Sequence, residues 1–143
     1  MGCVVCLVGC TGAQAPSFRV VEAQLTEESS DGYVVTFTLE GENRNGFGLP
    51  LREVEYRLSL EGEEVFVGRR SAEATLPAGS TGLVTLPVSV AFGEGVGLPA
   101  SMGYELSGRV TYVLPGAIAE LLFDNEIRKP TVGFIERGEL VGG

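Results

Sequence analysis

From about residue 33 to 112, apolar side chains recur at alternate positions in run after run, and that period leaves this chain little choice of architecture. Val54, Tyr56, Leu58 and Leu60 alternate with Glu53, Glu55, Arg57 and Ser59. Tyr33, Val35, Phe37 and Leu39 alternate with Val34, Thr36, Thr38 and Glu40. Val84, Leu86, Val88 and Val90 oppose Leu83, Thr85, Pro87 and Ser89, and Leu106, Val110 and Tyr112 oppose Glu105, Arg109 and Thr111. Successive side chains of a strand point to opposite faces, so each run offers one face to a core and one to water. Antiparallel sheets packed on a shared core have this property. Helical spacing is nearly absent, and only Leu98–Met102 is expected to form a helical turn.

Turn residues divide the runs at the intervals of a sandwich. Asp31-Gly32 separates a first strand, Phe18–Thr26, from the second, and Glu61-Gly62-Glu63 closes a hairpin into Val65–Gly68. Pro77-Ala78-Gly79 precedes the fifth strand, and Pro115-Gly116 joins the sixth to a seventh at Ile118–Phe123. The cluster Val132, Phe134 and Ile135 is a candidate for one more strand. Pro87 cannot donate to a ladder, which places its strand at an edge or a bulge. The expected fold is therefore all-β, an immunoglobulin/fibronectin-III-like antiparallel β-sandwich of about seven strands. The domain is expected over residues 17–136, with 137–143 as a tail.

The Asn-rich turn and two proline-containing segments carry a resemblance. Asn43-Arg44-Asn45-Gly46-Phe47-Gly48-Leu49-Pro50-Leu51 leads into the Tyr56 strand, and Leu76-Pro77-Ala78-Gly79-Ser80-Thr81 leads into Leu86-Pro87-Val88. This arrangement resembles the WHy (water stress and hypersensitive response) domain of late embryogenesis abundant type 2, or LEA14-like, proteins. The resemblance runs from about Phe18 to about Phe123 and departs from the family in one place, where Asn43-Arg44-Asn45 stands for the common Asn-Pro-Asn. It implies a small β-sandwich tied to stress tolerance and names no ligand.

Composition separates this chain from the disordered, strongly hydrophilic late-embryogenesis proteins. Its 143 residues, 44% hydrophobic and 20% charged, suit one folded domain that buries roughly two-thirds of its unfolded surface. The formal charge is −9 and the only lysine is Lys129, so phosphate backbones are repelled and no nucleic acid partner is expected.

All three cysteines, Cys3, Cys6 and Cys10, precede the domain. Leu7-Val8-Gly9-Cys10 resembles the bacterial lipobox, in which a small residue precedes a cysteine at the end of an apolar run. On that reading residues 1–9 are a signal remnant and Cys10 is the lipidated residue. Residues 10–16 then form a tether, and the partner is a membrane reached through lipid. Two or three acyl chains anchor stably because each buried methylene contributes about 0.8 kcal/mol. The preceding run is short and lacks Lys and Arg, unlike a full signal peptide, so this reading calls for residues upstream of Met1. An uncleaved apolar stub is the second reading. A metal site at Cys3, Cys6 and Cys10 is the third, and it lacks a fourth ligand.

Chemistry inside the domain is sparse. The chain has no histidine, and the domain no cysteine, which removes Ser-His-Asp and Cys-His catalysis and His/Cys zinc sites. Gly93-Glu94-Gly95-Val96-Gly97 lacks the Lys-Ser/Thr of a phosphate loop. Glu61, Glu63 and Glu64, and Glu53 with Glu55, fall on predicted wet positions, where neither carboxyl is desolvated for acid–base work. Asn43, Arg44 and Asn45 form the one polar cluster of interest. Asn-rich turns arise because Asn bonds nearby backbone and tolerates left-handed geometry.

No cofactor and no metal is expected. The expectation is a non-enzymatic, lipid-anchored envelope protein, protective in desiccation or osmotic stress by contact with macromolecules or membranes. A carrier of lipid or another apolar ligand and a structural subunit of an envelope assembly are the alternatives, both leaving protein or lipid partners open.

Overall fold

The computed structural model describes residues 14–91, 101–114 and 130–141. Seven strands follow in order: β1 (Ser17–Glu28), β2 (Gly32–Glu42), β3 (Leu49–Leu60), β4 (Glu63–Leu76), β5 (Thr81–Ala91), β6 (Ser101–Tyr112) and β7 (Thr131–Val141). They form a three-stranded sheet, β1-β2-β5, and a four-stranded sheet, β4-β3-β6-β7, with every pairing antiparallel. The fourth strand lies beside the third, as in fibronectin type III domains. The chain is thus an all-β, fibronectin-III-like sandwich.

Alternation does what the sequence dictates. Tyr33, Val35, Phe37 and Leu39 from one sheet meet Val54, Tyr56, Leu58 and Leu106 from the other, all buried. Phe37 meets the Tyr104 ring edge-on, with centroids 5.2 Å apart. Burying a side chain of this size stabilises by about 1.5–3 kcal/mol, so the two inner faces supply most of the drive to fold. Tyr56 sits in register between Gly68 and Gly108. The space a Cβ would need is taken by the Phe66 ring at Gly68, and by the Glu55 carbonyl and the Phe134 ring at Gly108. Two aromatic side chains thereby cover backbone that glycine leaves open.

The sheets are also tied directly. The Tyr56 hydroxyl donates to the Pro87 carbonyl across the sandwich at 2.7 Å. Pro87 lies on β5, an edge strand with an unbroken register on β2, so the expected edge placement holds and no bulge is needed there. An edge residue that faces away from its neighbour has no ladder bond to lose.

Several boundaries differ from the sequence reading. β4 runs on to Leu76 rather than stopping near Gly68. Its second half, Arg69–Thr75, is polar because an edge strand has few neighbours to pack against, and Glu73 there adopts φ 50° beside a register shift. β3 begins at Leu49 and β6 at Ser101, so Met102 is in a strand and not in a helical turn. The candidate cluster around Phe134 is strand β7, which extends to Val141, beyond the expected boundary at 136. The run at 118–123 and the glycine-rich segment at 93–97 lie outside the described residues.

Candidate functional site

Asn43 and Asn45 stand at the end of the sandwich where the β2–β3 and β4–β5 turns meet. Both are buried, 1% and 5% exposed, while Arg44 between them is exposed and only reaches Glu42 at 3.4 Å. Asn43 Nδ2 donates to three carbonyls, Phe47 (2.8 Å), Pro77 (3.0 Å) and Leu76 (3.1 Å). Two hydrogens serve three acceptors, so one is shared. Asn43 Oδ1 accepts from the Asn45 backbone N–H and from Asn45 Nδ2, each at 2.9 Å.

Asn45 reaches the other way. Its Nδ2 donates to the Gln14 carbonyl at 2.9 Å and its Oδ1 accepts from the Gln14 N–H at 2.7 Å. The Asn45 amide therefore bonds Gln14 as a neighbouring strand would, at both its N–H and its C=O. Backbone bonds complete the join: Asn43 N–H to Ser80 O (2.9 Å) and Gly79 N–H to Asn45 O (2.8 Å). Buried polar groups are stable only when paired, and every buried side-chain N and O among the described residues has a partner.

This alters the sequence account of the turn. Among the described non-glycine residues positive φ occurs at Glu61 and Glu73, so the asparagines are not left-handed turn residues. They are a buried clasp linking two turns and the segment before β1. Gln14 was not singled out by the sequence, because a glutamine among small residues carries no spacing signal and here acts only through its backbone.

Of the carboxylates expected on wet surface, Glu55, Glu61, Glu63 and Glu64 are exposed and Glu53 is half-buried. The Glu61-Gly62 turn has φ 51° and 84°, the primed geometry suited to a two-residue hairpin. Glu61 Oε2 also accepts the Gly103 N–H at 2.6 Å, so this residue fastens the hairpin to β6. Among the described residues no group of His, Cys, Asp and Glu is placed to hold a metal.

An open trough of about 1050 Å3 lies on the outer face of the four-stranded sheet. Glu55, Arg57, Arg69 and Arg109 line it, and Val67 and Ile135, 61% and 50% exposed, stand on its edge strands. Arg69 approaches Glu55 at 3.4 Å and Glu53 at 3.8 Å, distances at which exposed pairs contribute little. Burial pushes the phenols of Tyr33, Tyr56, Tyr104 and Tyr112 above the usual tyrosine range. None of these groups is arranged as a nucleophile with a base. Cys10, the predicted lipidation residue, lies outside the described residues.

Comparison with known proteins agrees with the fold. No curated protein matches the chain. Among solved structures it resembles the solution structure of a late embryogenesis abundant (LEA) protein, at 16% identity and TM-score 0.67, over 89% of this chain and 71% of that one. It also resembles the solution structure of a protein from Arabidopsis thaliana (18%, TM-score 0.66, 90% and 85% of the two chains). A third likeness is to the crystal structure of a protein from Archaeoglobus fulgidus (10%, TM-score 0.59, 89% and 98%). At such identities the likeness is one of fold. The family model for late embryogenesis abundant proteins, LEA type 2, matches residues 38–127, from mid-β2 across the clasp and the sandwich core, and the chain belongs to that family.

Proposed function

We propose that this is a non-enzymatic protein of the bacterial cell envelope, anchored by lipid at Cys10. Its LEA type 2 domain protects macromolecules or membranes by surface contact when water is withdrawn. The observation that carries the reading is the filled core: Phe37, Leu39, Leu49, Leu58, Leu76, Leu86 and Leu106 are all fully buried. A carrier of an acyl chain needs a cavity between its sheets, whereas here the inner faces already occupy each other. The broad depression lies on the outside of the four-stranded sheet, where a macromolecule rather than a small molecule would meet it. A chain without histidine also lacks the commonest general base of hydrolases.

Three measurements test this. In a bacterial host with the full leader present, Cys10→Ser should release the protein from membranes, while Cys3→Ser and Cys6→Ser should not. Added before drying and rehydration, the purified protein should preserve the activity of a labile enzyme better than an equal mass of an unrelated globular protein. Native mass spectrometry should find no stoichiometric lipid inside the domain. A bound acyl chain would replace the reading with the carrier, and equal protection by the control protein would remove the protective role.

A further inference from the structure

We propose that the sandwich has a bilayer-facing end, the one formed by the β2–β3 and β4–β5 turns. The inference rests on the lipid-anchor reading and adds to it an orientation and a contact surface. Two independent observations point to the same end.

The first is the length of the leash. Gln14 is bonded at both its N–H and its C=O to the Asn45 side chain, so the chain is already part of the domain at residue 14. Only four residue steps separate Gln14 from Cys10, and at full extension they span roughly 14 Å. β2 alone, with 11 residues, is about 36 Å long. A leash that short, fixed at one end of a body that long, keeps this end near the lipid headgroups and holds the opposite end well away from them.

The second is charge. The strands alternate in direction, so the β1–β2 and β3–β4 turns lie together at the far end. That end carries Glu27, Glu28, Asp31, Glu61, Glu63 and Glu64, all exposed. Glu64 meets Arg57 at 3.6 Å, which leaves the group as a whole strongly negative. The described near-end turns, residues 43–48 and 77–80, carry Arg44 and no carboxylate; the β6–β7 connection leaves from this end too and lies outside the described residues. They offer Phe47, Pro77, Ala78 and Ser80, short or apolar groups suited to a headgroup layer. Among the described residues, anionic lipids therefore repel the far turns more strongly than the near ones, in the same sense as the leash.

The chain contains no tryptophan, so one introduced tryptophan is the only donor of its kind. Full-length protein carrying Cys3→Ser and Cys6→Ser is coupled through Cys10 to a maleimide phospholipid. The vesicles contain phosphatidylcholine, phosphatidylglycerol and a dansyl phosphatidylethanolamine acceptor. Ala78→Trp reports the near end and Asp31→Trp the far end; both positions are exposed turn residues outside the core. With the two ends about 36 Å apart, energy transfer from position 78 should exceed that from position 31 by roughly fivefold or more. Inserting a long Gly/Ser segment between Thr11 and Gly12 should narrow the difference to what the charge asymmetry alone maintains. Equal transfer from both positions in the uninserted chain would overturn the proposal. Because the anchor here is chemical, a negative result speaks against orientation alone. Release failing in Cys10→Ser cells would instead speak against the natural anchor.

Discussion

Asn43→Ala should be among the most damaging single substitutions in the domain, although it removes no large apolar group. The Asn43 amide makes two donations shared over three carbonyls and accepts two bonds from Asn45. At about 1 kcal/mol net per bond, loss of four is worth about 4 kcal/mol, and the orphaned Leu76 carbonyl and Asn45 N–H keep the figure from falling much below 3. Asn43→Asp should be at least as harmful at neutral pH, because it exchanges the donor for a carboxylate oxygen facing three carbonyls.

Urea unfolding monitored by circular dichroism measures the loss directly, and an unchanged m-value confirms that the folded and unfolded states keep their extents. In a domain of this size the same change lowers Tm by on the order of 12–20 °C. Asn45→Ala and the double variant complete a cycle. Only the bond from Asn45 Nδ2 to Asn43 Oδ1 is lost in both single variants, since the backbone N–H remains, so the double variant should lose less than the sum of the single losses by about 1 kcal/mol. A loss below about 1 kcal/mol for Asn43→Ala, against the 3–5 expected from its bonds, would refute the clasp as a stabilising element.

Three further outcomes follow. Leu58→Ala opens a cavity at a fully buried position of β3 and should cost roughly 2–5 kcal/mol in denaturant titration; a value under 1 would mean the strand is not core. Tyr56→Phe keeps the ring and removes the cross-sheet bond to Pro87, so it should lose about 1 kcal/mol, and no loss would mean the bond contributes nothing. The four raised phenols predict alkaline lability: burial leads in each, opposed in part by Arg70 at Tyr56 and reinforced by Glu136 at Tyr104. Folded values above the ordinary 10.0 mean that this stability is full below pH 10.0 and is lost as pH rises through the folded values. A urea midpoint that stays level while the phenols titrate in that window would contradict it.

The inner faces were legible in the sequence because burial imposes a period of two that side-chain chemistry displays directly. Tyr33 through Leu39, Val54 through Leu60 and Val84 through Val90 all face inward as their parity requires. The edges were harder to read. The second half of β4 is polar along most of its length, since an edge strand is held by ladder bonds to β3 that every residue type can make. β7 was visible only around Phe134, its one buried large apolar residue, because the rest mixes Glu, Arg and Gly with the exposed Ile135 and the half-buried Val132 and Leu140. At Asn43, Arg44 and Asn45 the sequence shows a polar cluster but not the bonds that the asparagines make. Sequence shows that an asparagine can bond backbone nearby, but not that Leu76, Pro77 and Gln14, more than 30 residues away along the chain, supply the partners.

That distance also explains how this chain can carry Arg44 where the resembling family commonly has proline. A proline at the middle of such a turn acts locally, by fixing its own φ. In this turn the geometry is fixed from both sides by bonds that Arg44 does not make: Asn43 holds the β4–β5 turn and Asn45 holds Gln14 and Gly79. Arg44 points to solvent and has only a long contact with Glu42. The two asparagines therefore impose the turn whatever stands between them, and the middle position is free to answer to the surface. On the proposed orientation that surface is the one nearest the bilayer, where an arginine is better matched to anionic headgroups than a proline. Arg44→Pro should consequently leave stability within about 1 kcal/mol of the parent, in contrast to the loss at either asparagine. It should also weaken the preference of the near end for vesicles containing phosphatidylglycerol. A large loss of stability would show that the turn depends on its middle residue after all.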